Sequence, residues 1–198
     1  MEQRYIKFGE VSTRSEGDAP VLEGIFVKYG DVYEVAPGAT ESIERGAFTE
    51  SIHGDVRALY NHNHDVVLGR VSAGTLTLED REEGLWGRIL INPKDRAAMD
   101  AYERIKRKDI QGCSFGFCIE DETAEIRDDG SVHWTIRKVN PLMEVSPVCF
   151  PAYEATSIHA REKDLKEIKQ RQTEAWRIKM KARLKGNGTE STDAEAGA

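Results

Sequence analysis

Three short segments of the chain carry residue types suited to nucleophilic chemistry. The first, residues 59–70, contains His62, His64 and Asp65 at the end of a predicted strand. A histidine there is a candidate general base, because imidazole exchanges protons near neutral pH. Two alternatives stay open: a polar loop with surface histidines, and a metal site with ligands on alternate strand residues. No further cysteine or histidine cluster completes a ligand set, so we expect no bound metal.

The second segment, residues 109–117, places Ser114 between two glycines in an otherwise apolar predicted strand. Gly112 and Gly116 let a substrate backbone approach closely and let backbone N–H groups face a developing oxyanion. The Gly-x-Ser-x-Gly pattern alone is not specific. It is also not the nucleophile elbow of the α/β-hydrolases, which needs a helix directly after the serine, whereas residues 115–119 are predicted to be strand.

The third segment, residues 142–153, holds Glu144 as a single carboxylate in an apolar run. An isolated buried carboxylate is costly, so Glu144 should be paired. It either forms a salt bridge with an arginine at a strand edge or orients a histidine and stabilises its cation. A serine hydroxyl is a weak nucleophile that needs a neighbouring base. The three segments therefore predict His62 as base, Ser114 as nucleophile and Glu144 as orienting group.

The cysteines offer a rival nucleophile. Cys113, Cys118 and Cys149 are few, odd in number and form no Cys-x-x-Cys pair. This pattern argues against a disulfide framework and a structural zinc site, and it favours a reducing compartment. A cysteine protease would use Cys113 or Cys149, but strand alternation should turn Cys113 away from the face that presents Ser114.

The elements that must position these residues are mainly strands. From residue 4 to about 154, short runs rich in β-branched and aromatic residues alternate with glycine, aspartate and asparagine. An amphipathic helix is predicted over residues 94–107, with Asn92 as its cap and Pro93 in its first turn, and a shorter helix over 46–52. The predicted strands are residues 5–11, 22–29, 57–60, 74–78, 85–91, 114–119, 133–139 and 144–150.

Charge separates the C-terminal part from the rest of the 198 residues. The net charge is −7, which makes the whole protein a poor general ligand for nucleic acid. Residues 161–185 nevertheless carry ten lysines or arginines against four carboxylates, a net +6 that leaves −13 elsewhere. This segment is predicted to be a basic amphipathic helix that docks on a partner or on the domain itself, or else a solvated linker helix. Residues 186–198 are small, polar and predicted to be disordered.

The combination of the three segments resembles the prohead proteases of tailed phages of the HK97 type, a serine peptidase family. The match lies on residues 58–70, 109–117 and 144–153, and their order fits the family across about residues 4–160. The resemblance implies a mainly β fold with helices (α+β). It implies a closed or partly closed antiparallel β-barrel related to the herpesvirus assembly proteases. It divides the chain into a protease domain (1–160), the basic helix (161–185) and the tail (186–198).

The resemblance also implies an activity. The expected protein is a serine endopeptidase that cleaves the scaffolding region of the major capsid protein and itself, inside the immature capsid in the host cytoplasm. His62 is then the base, Ser114 the nucleophile and Glu144 the third member, where the herpesvirus relatives use a second histidine. The expected partners are the capsid protein and further copies of the chain as a homo-oligomer, with no cofactor, nucleic acid or membrane. The alternative is a non-enzymatic assembly scaffold that kept the fold and lost the chemistry.

Overall fold

The computed structural model describes residues 11–16, 19–150 and 155–186. These residues form a mainly β structure with two α-helices and two short 3-10 turns, at Ser51–His53 and Val71–Ala73. The strands are β1 (Val11–Glu16), β2 (Ala19–Lys28), β3 (Tyr33–Ala36), β4 (Ala39–Ile43), β5 (Arg57–Tyr60), β6 (Asn63–Arg70), β7 (Leu76–Asp80), β8 (Gly84–Leu90), β9 (Gly112–Ile126) and β10 (Val132–Val148). The helices are α1 (Arg96–Lys106) and α2 (Ala155–Gly186).

The strands form two sheets. The first has the order β1-β2-β8-β7 and is antiparallel throughout. The second has six strands in the order β3-β4-β10-β5-β6, with β9 paired to β10 outside this path. Its pairing is mixed, because β10 runs antiparallel to β9 but parallel to both β4 and β5.

The predicted mainly β fold with helices is confirmed, but the described residues form no closed barrel, and one sheet is mixed rather than antiparallel. Closure needs the terminal strands of a sheet to pair with each other, and within residues 11–16, 19–150 and 155–186 the ends β3 and β6 do not pair. The physical reason lies in β10, which is 17 residues long. Its first residues pair with β4 and its last with β5, both in parallel, so one long strand joins separate parts of an open sheet.

A hydrophobic core fills the space between the sheets and under α1. The side chain of Asp95 caps α1, accepting hydrogen bonds from the backbone N–H groups of Ala97 and Ala98, while Asn92 instead accepts one from the Lys94 N–H. The helix therefore begins slightly later than predicted, at Arg96. Its buried face is Ala98, Ala101, Tyr102 and Ile105. The predicted helix over residues 46–52 is instead a series of turns that ends in the first 3-10 turn.

Helix α2 confirms that the basic segment is helical, and of its described side chains those around Leu165 dock on the domain. Leu165 is buried and Ile168 partly buried against a second, smaller cluster on β3, β4 and β10. From Lys169 to Lys181 every side chain whose exposure is described is exposed, including Trp176 at 60%. No α-helix in the described ranges is long and apolar enough to span a membrane. The predicted strand over 5–11, apart from Val11, and the tail after residue 186 lie outside the described residues.

This docking predicts a stability difference along α2. We expect Leu165→Ala to lower the free energy of unfolding by about 2 kcal/mol, because the substitution leaves a cavity against the small cluster. The matched control Trp176→Ala removes an exposed side chain and should cost about 0.5 kcal/mol or less. Urea unfolding followed by tryptophan fluorescence and circular dichroism measures both. Equal losses for the two variants would show that α2 does not rest on the sheet at Leu165.

Candidate active site

The hairpin of β9 and β10 brings two of the predicted residues to one face. In its antiparallel register Ser114 lies opposite Ser146, and Gly116 lies opposite Glu144. Directly opposed residues of an antiparallel pair point to the same side, with Cβ atoms about 4.5–5.5 Å apart. Successive residues alternate between faces, so Ser114, Glu144 and Ser146 share one surface of the hairpin.

The other face of β9 belongs to the hydrophobic core. Cys113, Phe115 and Phe117 are all fully buried there, and the rings of Phe115 and Phe117 stack with centroids 4.6 Å apart. Phe115 also meets Phe48 edge to face. The apolar residues of the second segment thus fix the strand, and Cys113 is turned away from Ser114 as predicted.

The predicted base occupies the tip of the β5–β6 hairpin. Tyr60 pairs with Asn63, so Asn61 and His62 form a two-residue loop. Both residues have positive φ angles, 51° and 57°. Type I′ hairpin turns require this left-handed conformation at both central positions, and asparagine and histidine tolerate it better than most residues. His62 is therefore placed by a strained backbone, a feature that clusters at functional sites.

Asn61 ties this turn to the end of β10. Its backbone N–H donates to the carbonyl of Pro147 at 3.0 Å. Its side-chain oxygen accepts from the backbone N–H of Cys149 at 2.8 Å, and its amide group contacts the Cys149 sulfur at 3.3 Å. The tip is thereby fixed against the strand that carries Glu144. The sequence alone gave Asn61 no role, because its partners lie 86 or more residues away along the chain.

His62 and Glu144 form the central contact of the site. The Nδ1 atom of His62 lies 2.7 Å from Oε1 of Glu144, and the other oxygen, Oε2, accepts a hydrogen bond from Ser146. Glu144 is buried, and the His62 side chain is 19% exposed. The sequence left open whether Glu144 meets an arginine or a histidine, and this contact shows the histidine. Ser146 was missed, although its position two residues after Glu144 already predicts a shared face.

Gly116 makes room for this carboxylate. A Cβ atom built on Gly116 would lie 2.8 Å from Oε1 and 3.2 Å from Cγ of Glu144, closer than ordinary contacts. The carboxylate therefore lies over the backbone of β9 at Gly116, because residue 116 has no side chain. The glycine that the sequence associated with substrate approach serves the orienting group instead.

For the peptidase activity that the resemblance implies, we expect Gly116→Ala to lower kcat/KM by roughly 100-fold while leaving the fold intact. The new methyl group displaces the end of a flexible side chain, a small cost in stability, but it moves Oε1 away from His62, and misplacement by about 1 Å can cost this much. The matched control is Cys118→Ala, two residues along the same strand, with activity within about twofold. A Gly116→Ala enzyme of full activity would contradict this function of the glycine.

Ser114 lies on the same face of the hairpin as Glu144 and is not hydrogen-bonded to the His62–Glu144 pair. The side chain is fully buried, and its Oγ has no hydrogen-bond partner in the described parts of the chain. A buried hydroxyl without a partner costs about 1–3 kcal/mol and calls for a functional explanation. The structure thus joins His62 to Glu144 directly and brings Ser114 to the same face, opposite the serine that bonds Glu144.

The remaining polar residues of the first segment do not join the site. His64 and Asp65 are exposed on β6, and the Asp65 N–H donates to the side chain of Asn63. His62 lies in the turn rather than on the strand, so the alternation that suggested a metal site does not apply to it. Across the described ranges no three histidine, cysteine, aspartate or glutamate residues are grouped to hold a metal.

The end of the first segment holds the hairpin in place. Arg70 pairs with Asp55, its Nε donating to Oδ1 at 2.8 Å, and these bonds hold the pKa of the exposed Asp55 well below its usual range. A Cβ atom on Gly69 would lie 2.8 Å from the carbonyl oxygen of Thr75 and 2.9 Å from Ile89. Gly69 and Arg70, at the end of the first segment, therefore serve close packing and anchoring.

Comparison with known proteins identifies the same three segments as parts of one family. A family model described as caudovirus prohead serine protease matches residues 9–171, which include both hairpins of the site. Neither the curated proteins nor the solved structures contain a match to the chain.

Proposed function

Because the chain belongs to the caudovirus prohead serine protease family, we propose that it is a serine endopeptidase with Ser114 as nucleophile, His62 as base and Glu144 as orienting carboxylate. The observation that carries the proposal is the 2.7 Å contact between His62 Nδ1 and Glu144 Oε1, on the hairpin face that also presents Ser114. The family is one of capsid maturation proteases, which act in the immature capsid within the host cell.

The proposed reaction is acyl transfer. Since Nδ1 of His62 faces the carboxylate, Nε2 is the nitrogen that takes the Ser114 proton as Oγ attacks the scissile carbonyl. The C–N bond then breaks, and Nε2 returns the proton to the leaving amine. Water, activated by the same nitrogen, hydrolyses the acyl-enzyme and regenerates the serine. Glu144 stabilises the imidazolium formed in both halves of the reaction.

The proposal includes a local opening of the site before acylation. The Ser114 side chain is buried, so a substrate reaches it only after neighbouring groups move. Catalytic hydrogen bonds are often incomplete in the free enzyme and tighten when substrate binds. The unpartnered Ser114 hydroxyl fits this view, because it is not committed to a structural bond that the reaction would have to break.

The proposed substrates are the scaffolding region of the major capsid protein and the protease chain itself. Within this scheme residues 1–160 perform the cleavage, and the basic segment 161–185 with the tail 186–198 contacts the assembling shell. The exposed and positively charged half of α2 supports this division, since it extends beyond the contact at Leu165. Self-cleavage and self-association belong to the same proposal.

Co-expression with the matching capsid protein tests the proposal. Intact mass should show a shortened capsid protein and a shortened protease with the unaltered enzyme, and full-length chains of both with Ser114→Ala. The matched control Cys149→Ala, which removes the exposed thiol beside the Asn61 turn, should process both chains normally. Unchanged masses with the unaltered enzyme would instead support the non-enzymatic scaffold, which the enclosed Ser114 also fits.

A further inference from the structure

Ser146 is a buried hydroxyl in the site to which the proposed reaction gives no step. It follows Glu144 by two residues on β10 and is fully buried. Its Oγ donates a hydrogen bond to Oε2 of Glu144, at 2.5 Å. It also lies directly opposite Ser114 in the register of the two strands. Two functions are open to this serine. It positions the Glu144 carboxylate, or it is itself the nucleophile in place of Ser114.

The two oxygens of Glu144 have different partners. Oε1 faces Nδ1 of His62, and Oε2 faces the hydroxyl of Ser146. Rotation of the carboxylate about its last bond would break both contacts together, so the second bond fixes the plane in which the first is made.

The space around the carboxylate makes this second bond important. Gly116 allows Oε1 of Glu144 to approach the backbone of β9 closely. As a glycine, however, it has no side chain that holds the carboxylate in place. The β5–β6 tip presents His62 through the Asn61 contacts to Pro147 and Cys149. Ser146 is therefore the side chain of β10 itself that keeps the carboxylate turned towards the histidine.

We propose that Ser146 is a positioning residue that acts through Glu144 on His62. This inference rests on the proposed function, because it assigns Ser146 a part in aligning the base for Ser114. Its hydroxyl proton is directed to Oε2, so Ser146 donates to the orienting group and does not attack the substrate. In the proposed mechanism the interactions run from Ser114 to His62, from His62 to Glu144, and from Glu144 to Ser146.

The kinetic test compares two substitutions at one position. Ser146→Ala removes the hydroxyl and should lower kcat about tenfold, with KM within twofold. Ser146→Thr keeps the hydroxyl and adds a methyl group. Branched side chains are tolerated in strands, so kcat of this variant should stay within threefold of that of the unaltered enzyme. In a Glu144→Ala background Ser146→Ala should add less than a twofold loss, since the group through which it acts is gone. Thermal unfolding of each variant shows whether the fold is kept.

A spectroscopic readout separates this inference from the proposed function. The proton shared by His62 Nδ1 and Glu144 should give a low-field NMR signal that is lost in His62→Ala. It should shift or broaden in Ser146→Ala and persist in Ser146→Thr. An unchanged signal together with full activity in Ser146→Ala would overturn the positioning role.

Two further outcomes concern the activity of Ser114→Ala. If Ser114→Ala kept its activity while Ser146→Ala lost all of it, Ser146 would be the nucleophile, and both the inference and the proposed function would fall. If Ser114→Ala kept its activity while the signal still depended on the Ser146 hydroxyl, the proposed function would fail and the contact between Ser146 and the carboxylate would stand.

Discussion

Replacing Ser114 by alanine is expected to reduce kcat for peptide cleavage by roughly 10⁴- to 10⁶-fold, the largest effect of any single substitution in this chain. In the proposed mechanism this hydroxyl supplies the atom that forms the new bond, and alanine has no atom that can replace it. His62→Ala should lose a similar factor, and the double variant should lose little more, because nucleophile and base act as one unit. Single-turnover cleavage of a capsid-derived peptide measures all three rates.

The thiols provide the control for this prediction. Cys149 is exposed and lies beside the base, with its sulfur 3.3 Å from the Asn61 amide, whereas Cys113 is buried in the core. Cys149→Ala should therefore cleave within about twofold of the unaltered enzyme. Activity that survives Ser114→Ala and disappears with a thiol reagent would identify a cysteine protease and remove Ser114 from the mechanism.

Glu144→Gln is expected to reduce kcat by about 10²- to 10⁴-fold, less than the loss of Ser114 or His62. The amide fills the same space but cannot stabilise an imidazolium, and its NH₂ group can favour the wrong tautomer of His62. The same single-turnover assay measures the change.

An exposed carboxylate of β9 serves as the matched control for Glu144. Glu120 pairs with Lys138 at 2.9 Å on the outside of the hairpin, so Glu120→Gln should leave kcat within about twofold. A Glu144→Gln enzyme with full activity would remove this carboxylate from the mechanism and leave the proposal with a serine and a histidine.

The sequence predicted those elements whose pattern is local. Helix α1 and the strands β2, β5, β7 and β8 were found within a few residues, since apolar periodicity and turn residues specify them. Strands β3, β4 and β6 were missed, and β1 was missed apart from Val11. Strand β4 contains Glu41, which is buried although glutamate in a sequence usually indicates a surface position. Strand β6 begins with the exposed residues Asn63, His64 and Asp65, which indicate a loop.

The long hairpin and the mixed sheet could not be predicted in the same way. Residues 133–139 and 144–150 were predicted as separate strands, but β10 runs through both, including Pro141. Its parallel pairing with β4 and β5 depends on segments about 90 residues apart in sequence. Long-range pairing of this kind leaves no local signal, which is why the barrel prediction failed while the individual strands were recognised.

The candidate site also combines residues that the sequence selected with contacts that only the fold reveals. Residue types and the family resemblance selected His62, Ser114 and Glu144, and the structure joins the first and third. The contributions of Asn61, Gly116 and Ser146 arise only from contacts across the fold. The contacts of such residues do not follow from a single sequence, because an asparagine, a glycine or a serine in a strand or turn has many ordinary uses.

The tether between the Asn61 turn and the end of β10 has a consequence for synthesis of the chain. During translation His62 leaves the ribosome long before its partner Glu144 has been synthesised. The same is true of Asn61 and Pro147, whose carbonyl anchors the turn. A nascent chain, or a fragment that stops short of residue 144, therefore contains the serine and the histidine but no means of aligning them. In the proposed mechanism, cleavage activity should therefore begin only after β10 has been synthesised and has paired with β5.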